Sequence, residues 1–431
     1  MKTIGLGLVG CGVVGGGLVK ALRKNSDLIT QRSGLELNIA RVAVRDIKKD
    51  RGIDPSCLTT EWLEVIQDPK VQVVIELMGG TDTSYKVVQR AIESDKPVVT
   101  ANKALLAERG ESLFALATER KVPLYFEASV AGGIPIVQAL TEGLQANHIK
   151  SIHGIINGTC NYIMTRMASE GADFETILAD AKRLGYAETD EALDVDGIDA
   201  AHKAAILATL AYGFFVPFDH VFVEGIRNLT PLDFDFASSL GYLPKLLATI
   251  KVNEKNAVEV RVHPTLIPKS HVLASIDGVY NAVAVEGDVV GNTLFYGRGA
   301  GADPTASAVL SDTIEVASQI ASGDAARHFQ EHHLYNKLIT MDEVITRYYV
   351  RLTVDDKPGV LAQVADAFGK NNIGISSVIQ PDKSNADGTI PLVLMLDKAK
   401  ELVLQEAMQT ITQLPVVKSP NQVIRLEDFE E

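Results

Sequence analysis

Cysteine is scarce in this chain of 431 residues: only Cys11, Cys57 and Cys160 occur. An odd number at wide spacing builds neither a disulfide framework nor a thiolate zinc site, and it fits a reducing compartment. Positive charge is also in short supply. Lys and Arg number 41 against 55 Asp and Glu, a formal net charge of -14. A chain of that sign does not bind nucleic acid or an anionic membrane through its bulk field. No apolar run approaches the ~18 residues of a membrane-spanning helix. The opening "MKTIGLGLVG" is apolar but broken by glycines, and it flows into a motif, so it does not read as a signal peptide. The expectation is a cytoplasmic protein with neither nucleic-acid nor membrane partners. Internal repeats and low-complexity stretches are missing too. Length alone suggests two or three domains, and 46% hydrophobic residues is ordinary for a globular chain.

What is present is an alternation of apolar runs and amphipathic stretches. "TIGLGLV" (3–9), "LNIARVAV" (37–44), "VQVVIELM" (71–78), "KPVVTA" (96–101) and "PLYFEASV" (123–130) read as buried strands. Helical patterns lie between them, at 84–94 and 104–121 for example. This is the spacing of βαβ units and predicts a doubly wound parallel sheet of Rossmann type, an α/β fold, over residues 1–130. From 131 to 304 longer helices mix with β-rich stretches, which predicts an α+β domain. One amphipathic helix follows at about 305–322. Residues 323–346 read as a polar linker, whose His328, His332 and His333 keep no fixed ligand spacing. Residues 347–431 alternate strand and helix as a compact βαββαβ unit of about the smallest domain size.

Two GxGxxG matches overlap at the start. Gly5-Gly7-Gly10 leaves too little chain before it for a strand. Gly10-Gly12-Gly15 follows a strand and opens a helix, as the dinucleotide fingerprint requires. Gly10 would make the turn, Gly12 would admit the pyrophosphate, and Gly15 would let helix and strand pack closely, with Val13 and Val14 at the head of the helix. The amide groups there face an anion. The second strand ends "AVRDIKK". Asp46 there could hold a ribose hydroxyl of NAD(H), whereas Arg45 and the following lysines favour the 2′-phosphate of NADP(H).

"VVTANKALL" places Asn102 and Lys103 just past the carboxyl end of a parallel strand, where ligands of such sheets sit, so Lys103 can meet the nicotinamide of the cofactor or a substrate oxygen. "LGYAETDEALDVDGIDAAHK" (184–203) gathers six carboxylates, Glu188, Asp190, Glu191, Asp194, Asp196 and Asp199, ahead of Lys203. The run does not fit a calcium loop. Asp199 and Lys203 stand four apart on an apolar helix, so they share a face. Two readings stand here. One is an exposed i,i+4 salt bridge. The other is a pocket in which a buried, paired lysine gives up a proton and the carboxylates of Glu188, Asp194 and Asp199 receive a substrate ammonium group.

These motifs, with "FEASVAGGIP" (126–135), "INGTCNYI" (156–163) and "GRGAGADPTASAV" (297–309), resemble homoserine dehydrogenases over nearly the whole chain. "DDKPGVLAQVADAF…ISSVIQ" resembles an ACT domain, an amino-acid-sensing module. The resemblance implies reversible NAD(P)H-dependent reduction of L-aspartate 4-semialdehyde to L-homoserine, in threonine and methionine biosynthesis. It implies Lys203 as proton donor with Lys103 assisting, Glu188 and Asp199 on the substrate, Asp194 supporting the lysines, and Gly185 and Gly301 lining the cleft for substrate and cofactor. Main-chain oxygens of Glu127, Val130, Gly132 and Ile134 match the family's monovalent-cation site, usually sodium. Threonine is the implied effector, bound by the loop after the first strand of the C-terminal unit with Asn371, Asn372 and Ile373. A homodimer through the middle domain, or a homotetramer, is the implied assembly. One departure is Cys160, where the family usually has threonine. It invites a rival, an aspartate-semialdehyde dehydrogenase-like enzyme with a cysteine nucleophile and His153 as its nearest candidate base. A rival of another class is a non-enzymatic nucleotide and amino-acid sensor.

Overall fold

The computed structural model describes residues 2–187, 190–324, 329–335 and 337–429. The chain divides into two compact units. Residues 1–152, 199–221 and 280–336 form the first, and 153–198, 222–279 and 337–431 the second.

The first unit is built on a six-stranded parallel sheet: β1 (Lys2–Val9), β2 (Leu35–Ala43), β3 (Leu58–Thr59), β4 (Val73–Glu76), β5 (Val98–Thr100) and β6 (Leu124–Tyr125). The order is β3-β2-β1-β4-β5-β6, that of a dinucleotide-binding Rossmann sheet. The continuous apolar strands follow from burial on both faces. On one side Ile4, Leu6 and Leu8 pack with Leu18 and Leu22 of α1 (Val13–Lys24). They share that core with Val309 and Val316 of a long helix, Ala302–Ser322. On the other side Val9 and Val74 pack with Val88, Ile92, Leu105 and Leu113 of two further helices. The intervening helices are α2 (Ser26–Ser33), α3 (Trp62–Gln67), α4 (Asp82–Glu93) and α5 (Lys103–Arg120). Gly5 and Gly7 are mid-strand, which explains why the first glycine match is not the fingerprint. A Cβ on Gly5 would lie 1.8 Å from the Lys70 carbonyl oxygen.

β6 is shorter than its apolar run. The chain turns at Glu127–Ser129 into a 3-10 helix, because the Glu127 carboxylate turns inward and accepts the amides of Val137 and Gln138 at 2.9 and 2.7 Å. α6 (Ile136–Gln138) and β7 (Ile149–Ile155) follow. Two aromatic residues of the expected linker pack within the first unit: the Phe329 ring lies 5.5 Å from that of Phe114, and Tyr335 Oη is 2.9 Å from His148 Nδ1. His328 lies outside the described residues.

The second unit holds α7 (Gly158–Glu170), α8 (Phe174–Leu184), α9 (Ala192–Val195) and β8 (Phe222–Val223). α10 (Ile198–Tyr212) belongs almost wholly to the first unit. α11 (Pro231–Ser239), β9 (Tyr242–Val252) and β10 (Ala257–Pro268) complete the middle of the second unit, while the hairpin β11 (Tyr280–Gly287) and β12 (Gly291–Arg298) and the helix α12 (Ala302–Ser322) return to the first. After β13 (Lys337–Leu338) the C-terminal run is β14 (Ile345–Asp355), α13 (Val360–Lys370), β15 (Ile375–Ile379), β16 (Thr389–Lys400), α14 (Glu401–Thr412) and β17 (Val417–Leu426).

That βαββαβ run joins a mixed sheet in the order β9-β10-β17-β14-β16-β15. β10 and β17 pair in parallel at Thr265–Arg425 and Leu266–Leu426. Its core is Tyr348, Val350, Leu352, Phe368, Leu394 and Ile411 with their neighbours. Buried ions fasten it further. Arg351 grips Asp233 of α11 with two bonds, Nε to Oδ1 at 2.7 Å and Nη2 to Oδ2 at 3.0 Å. Arg425 bonds Glu401, and Arg261 bonds Glu427 at 3.2 Å. Among the described residues no helix is long and apolar enough to cross a membrane.

Candidate active site

The candidate site grows from the carboxyl ends of β1, β2, β4 and β5. β1 leads into the turn Gly10–Gly15. Gly10 has φ +99, and a Cβ there would lie 2.6 Å from the Leu77 carbonyl oxygen, so the turn requires glycine. A Cβ on Gly15 would come within 2.8 Å of the Gly10 oxygen, so the helix starts hard against its own turn. Gly12 caps α1, and a Cβ there would meet nothing within 4 Å. An open space thus lies before the first amides of a helix, the arrangement that takes a pyrophosphate. Val13 heads the helix 75% exposed, while Val14 packs against the core. These residues fit the adenosine diphosphate half of a nicotinamide cofactor.

The loop after β2 is tied to this turn by a residue the sequence reading passed over. Arg51 Nε donates to the Cys11 carbonyl at 3.2 Å, and its Nη1 donates to the carbonyls of Asp46 and Lys49 at 2.7 and 2.8 Å. The Asp46 carboxylate accepts the Lys48 amide at 2.9 Å. Arg45 is exposed beside it.

At the end of β5, Asn102 caps α5 by accepting the Leu105 amide at 3.1 Å. Lys103 is therefore the first helical residue, at the positive end of the helix dipole. A carboxylate compensates. Asp199, near the start of α10, receives Lys103 Nζ on Oδ1 at 3.0 Å and Lys203 Nζ on Oδ2 at 2.6 Å. Lys203 is 8% exposed and Asp199 9%, so the i,i+4 pair is not the exposed bridge of the simpler reading. Burial disfavours the charge on Asp199, yet Lys203 and Lys103 outweigh it and hold the carboxyl far below the usual range. His202, next along, stacks on Phe218 with ring centroids 4.4 Å apart. Burial pushes its imidazole down to about 4, with the lysine charges adding to that and Asp199 opposing.

Other expected site residues lie elsewhere in the two units. Gly301 caps α12 in the first unit with φ +115, and Gly185 ends α8 in the second with φ +76. Asp194, in α9 of the second unit, accepts Asn157 Nδ2 at 2.8 Å on its side chain and the Cys160 thiol at 3.1 Å on its carbonyl. Cys160 is fully buried. Glu188 lies outside the described residues. Around the expected cation loop, Ala131 and Gly132 have φ +52 and +53. A Cβ on Gly132 would lie 2.5 Å from the Gly299 oxygen. The Glu127 amide donates to Asp312 at 2.8 Å, and burial pushes the Glu127 carboxyl up to about 7. With the Glu127 side chain taken up by amides and the Ser129 hydroxyl donating to the Phe126 carbonyl at 2.6 Å, most of the remaining oxygens in this tight turn are main-chain carbonyls. That neutral donor set suits a monovalent ion better than a divalent one. Among the described residues no cluster of three His, Cys, Asp or Glu side chains could hold a metal.

Family models agree with this division of labour. Residues 10–127 match the NAD-binding domain of homoserine dehydrogenase, and 135–314 match homoserine dehydrogenase. A homoserine dehydrogenase of Pseudomonas aeruginosa is 42% identical, with both chains covered in full. This chain belongs to the homoserine dehydrogenase family. It is an NAD(P)-dependent oxidoreductase with a small-molecule substrate. The solved homoserine dehydrogenase from Thiobacillus denitrificans superposes with a TM-score of 0.93 at 42% identity, covering 99% of each chain. A hyperthermophilic archaeal homoserine dehydrogenase, solved in complex with NADPH, is similar at 26% identity with a TM-score of 0.63, covering 76% of this chain and all of that one. The cysteine-nucleophile enzyme and the non-enzymatic sensor give way to this membership.

Proposed function

We propose that the chain interconverts L-aspartate 4-semialdehyde and L-homoserine, that it favours NADP(H) over NAD(H), and that Lys203 is its general acid. The carrying observation is the buried Asp199 carboxylate gripped by Lys103 and Lys203. A bound reduced nicotinamide supplies hydride to the aldehyde carbon. The Lys203 ammonium gives its proton to the carbonyl oxygen as that oxygen gains negative charge. Asp199 holds Lys203 in place, and Lys103 adds a second positive charge near the same oxygen. Two lysines and one carboxylate leave a local charge of about +1, which suits an oxygen becoming an alkoxide. Such a site repels an ammonium group, so the earlier assignment of Asp199 to the substrate amine gives way to this positioning role, and Glu188 takes the amine. By the family resemblance Asp194 would support the lysines, and Gly185 and Gly301 would line the cleft for substrate and cofactor.

Arg45, exposed beside the Arg51-fixed loop, supports a preference for the 2′-phosphate, and the NADPH complex of the archaeal relative is in line with it. The carbonyls of Glu127, Val130, Gly132 and Ile134 would hold sodium, fixing the turn that follows β6. The C-terminal βαββαβ run is read as an ACT module that takes threonine, its α13 opened by Gly359 at φ +88 and closed near Asn372 at φ +54. A homodimer or homotetramer and a cytoplasmic place in threonine and methionine biosynthesis complete the reading.

The test is an initial-rate assay of homoserine-dependent reduction of NADP⁺ and of NAD⁺, with and without threonine. Turnover favouring NADP⁺ and reduced by threonine is expected. Absence of turnover in folded protein with sodium present would sink the proposed reaction, and equal rates with and without threonine would sink the effector.

A further inference from the structure

Glu76 ends β4 at the same sheet edge as the site, is 0% exposed, and has no part in the chemistry described above. A carboxylate so buried needs donors. Its donors include the Met78 amide at 2.7 Å and Ser84 Oγ at 3.1 Å on Oε1, and Thr100 Oγ1 at 2.6 Å on Oε2, and the Asn102 side chain also favours the carboxylate. Burial still pushes its carboxyl up, against these bonds.

The bond to Thr100 continues toward the lysines. Thr100 Oγ1 donates to Glu76 and accepts the Asn102 amide at 3.1 Å. Asn102 donates from Nδ2 to the Gly80 carbonyl at 2.8 Å and accepts the Leu105 amide on Oδ1. Lys103 comes next, at the head of α5, and reaches Asp199. Each hydroxyl and amide along this line has one direction of donation. The line ends on the Glu76 carboxyl oxygens, which receive the Met78, Ser84 and Thr100 bonds.

We propose that Glu76 is a positioning residue for the reaction: acting through Thr100 and the Asn102 cap, it fixes the turn that presents Lys103 to Asp199 and Lys203. The inference rests on the reading that Lys103 assists catalysis. Glu76→Gln keeps the shape but replaces one acceptor oxygen by a donor. Whichever way the new amide turns, one donor loses its acceptor: either Thr100 Oγ1 faces both the new NH2 and the Asn102 N–H, or the Met78 N–H faces the new NH2. The turn must shift to relieve this, and small misplacements of catalytic groups are expensive.

The experiment uses the full chain with steady-state kinetics, cofactor titration by fluorescence, and thermal melting. Glu76→Gln and Thr100→Val are expected to lower kcat about tenfold or more, with the NADPH dissociation constant changed by less than about twofold, since the phosphate turn is not on this line. Thr100→Ser, which keeps the hydroxyl, is expected to restore most of kcat. A merely structural role would lower melting temperature and leave kcat per folded molecule unchanged. Lys103→Ala separates the two levels. If it lowers kcat while folded Glu76→Gln and Thr100→Val stay within about twofold of the parent, this inference fails alone. If Lys103→Ala itself leaves kcat unchanged, the reading beneath it fails. Should Glu76→Gln not fold, Thr100→Val against Thr100→Ser decides the matter.

Discussion

Lys203 Nζ lies 2.6 Å from Asp199 Oδ2, one helical turn earlier on α10, and both groups are buried. The second oxygen of the same carboxylate holds Lys103, which comes from the sheet edge 96 residues earlier. A pair that an isolated helix would value at a few tenths of a kcal/mol is here buried and held from two sides, which is the support the proposed proton donor requires.

The pH dependence of stability follows from His202. Its folded-state value, about 4, lies below the ordinary 6.5. Above pH 6.5 both folded and unfolded forms hold it neutral, and its contribution to stability is intact. As pH falls from 6.5 toward 4 the unfolded chain takes up the proton and the folded one does not, so stability is lost, by at most on the order of 3 kcal/mol. Melting curves of His202→Gln and the parent across this window are expected to diverge toward neutral pH, with the parent showing the steeper acid-side loss. Parallel curves would remove His202 as the cause.

Cofactor binding is expected to separate from folding at Gly12. Its φ, -84, is not in the left-handed region, its ψ is -141, and the added methyl meets no protein atom within 4 Å. Gly12→Ala is expected to melt within a few degrees of the parent yet bind NADPH about tenfold or more weakly, because the methyl enters the pyrophosphate's space. Gly15→Ala, whose methyl would press on the Gly10 carbonyl, is expected to lose stability as well. Undiminished NADPH binding by Gly12→Ala would contradict the placement.

Arg51 holds two loops with one planar fork, which a lysine cannot reproduce. Arg51→Lys is expected to weaken NADPH and NADH by similar factors, roughly three- to tenfold, about 0.7 to 1.4 kcal/mol. Loss confined to NADPH, in fluorescence titrations of both cofactors, would instead make Arg51 a direct 2′-phosphate ligand.

Asp233 is fully buried and answered by Arg351 from β14. Arg351→Ala is expected to cost about 3–5 kcal/mol in urea unfolding, since it strands a buried charge. A cost below about 1 kcal/mol would show that the pair is not structurally important. For the same reason a chain ended near residue 330 is not expected to keep the second unit folded, because Asp233 would lose its partner and β10 its neighbour β17.

The strands of the first unit could be read from sequence because burial on both faces makes them continuously apolar, and the fingerprint because Gly10 and Gly15 answer steric needs at fixed spacing. β6 was overestimated because its run contains Glu127, whose burial by amide bonds no periodicity signals. The Asp199–Lys203 pair was legible as a shared helix face, but its burial was not, and Lys103 joins it only through tertiary packing. Arg51 left no pattern, since its partners are carbonyls that every residue carries. Glu76 was hidden inside an apolar strand run for the same kind of reason: its donors are a hydroxyl 24 residues away, a second hydroxyl and an amide.

The central claim is that Lys203 carries the transferred proton, giving it up in reduction and taking it back in oxidation. The most direct measurement is kcat of Lys203→Ala for homoserine oxidation by NADP⁺, beside its NADPH affinity and melting temperature. The account predicts a fall in kcat of about 10²-fold or more with cofactor affinity retained. A folded variant with near-parental kcat would contradict it.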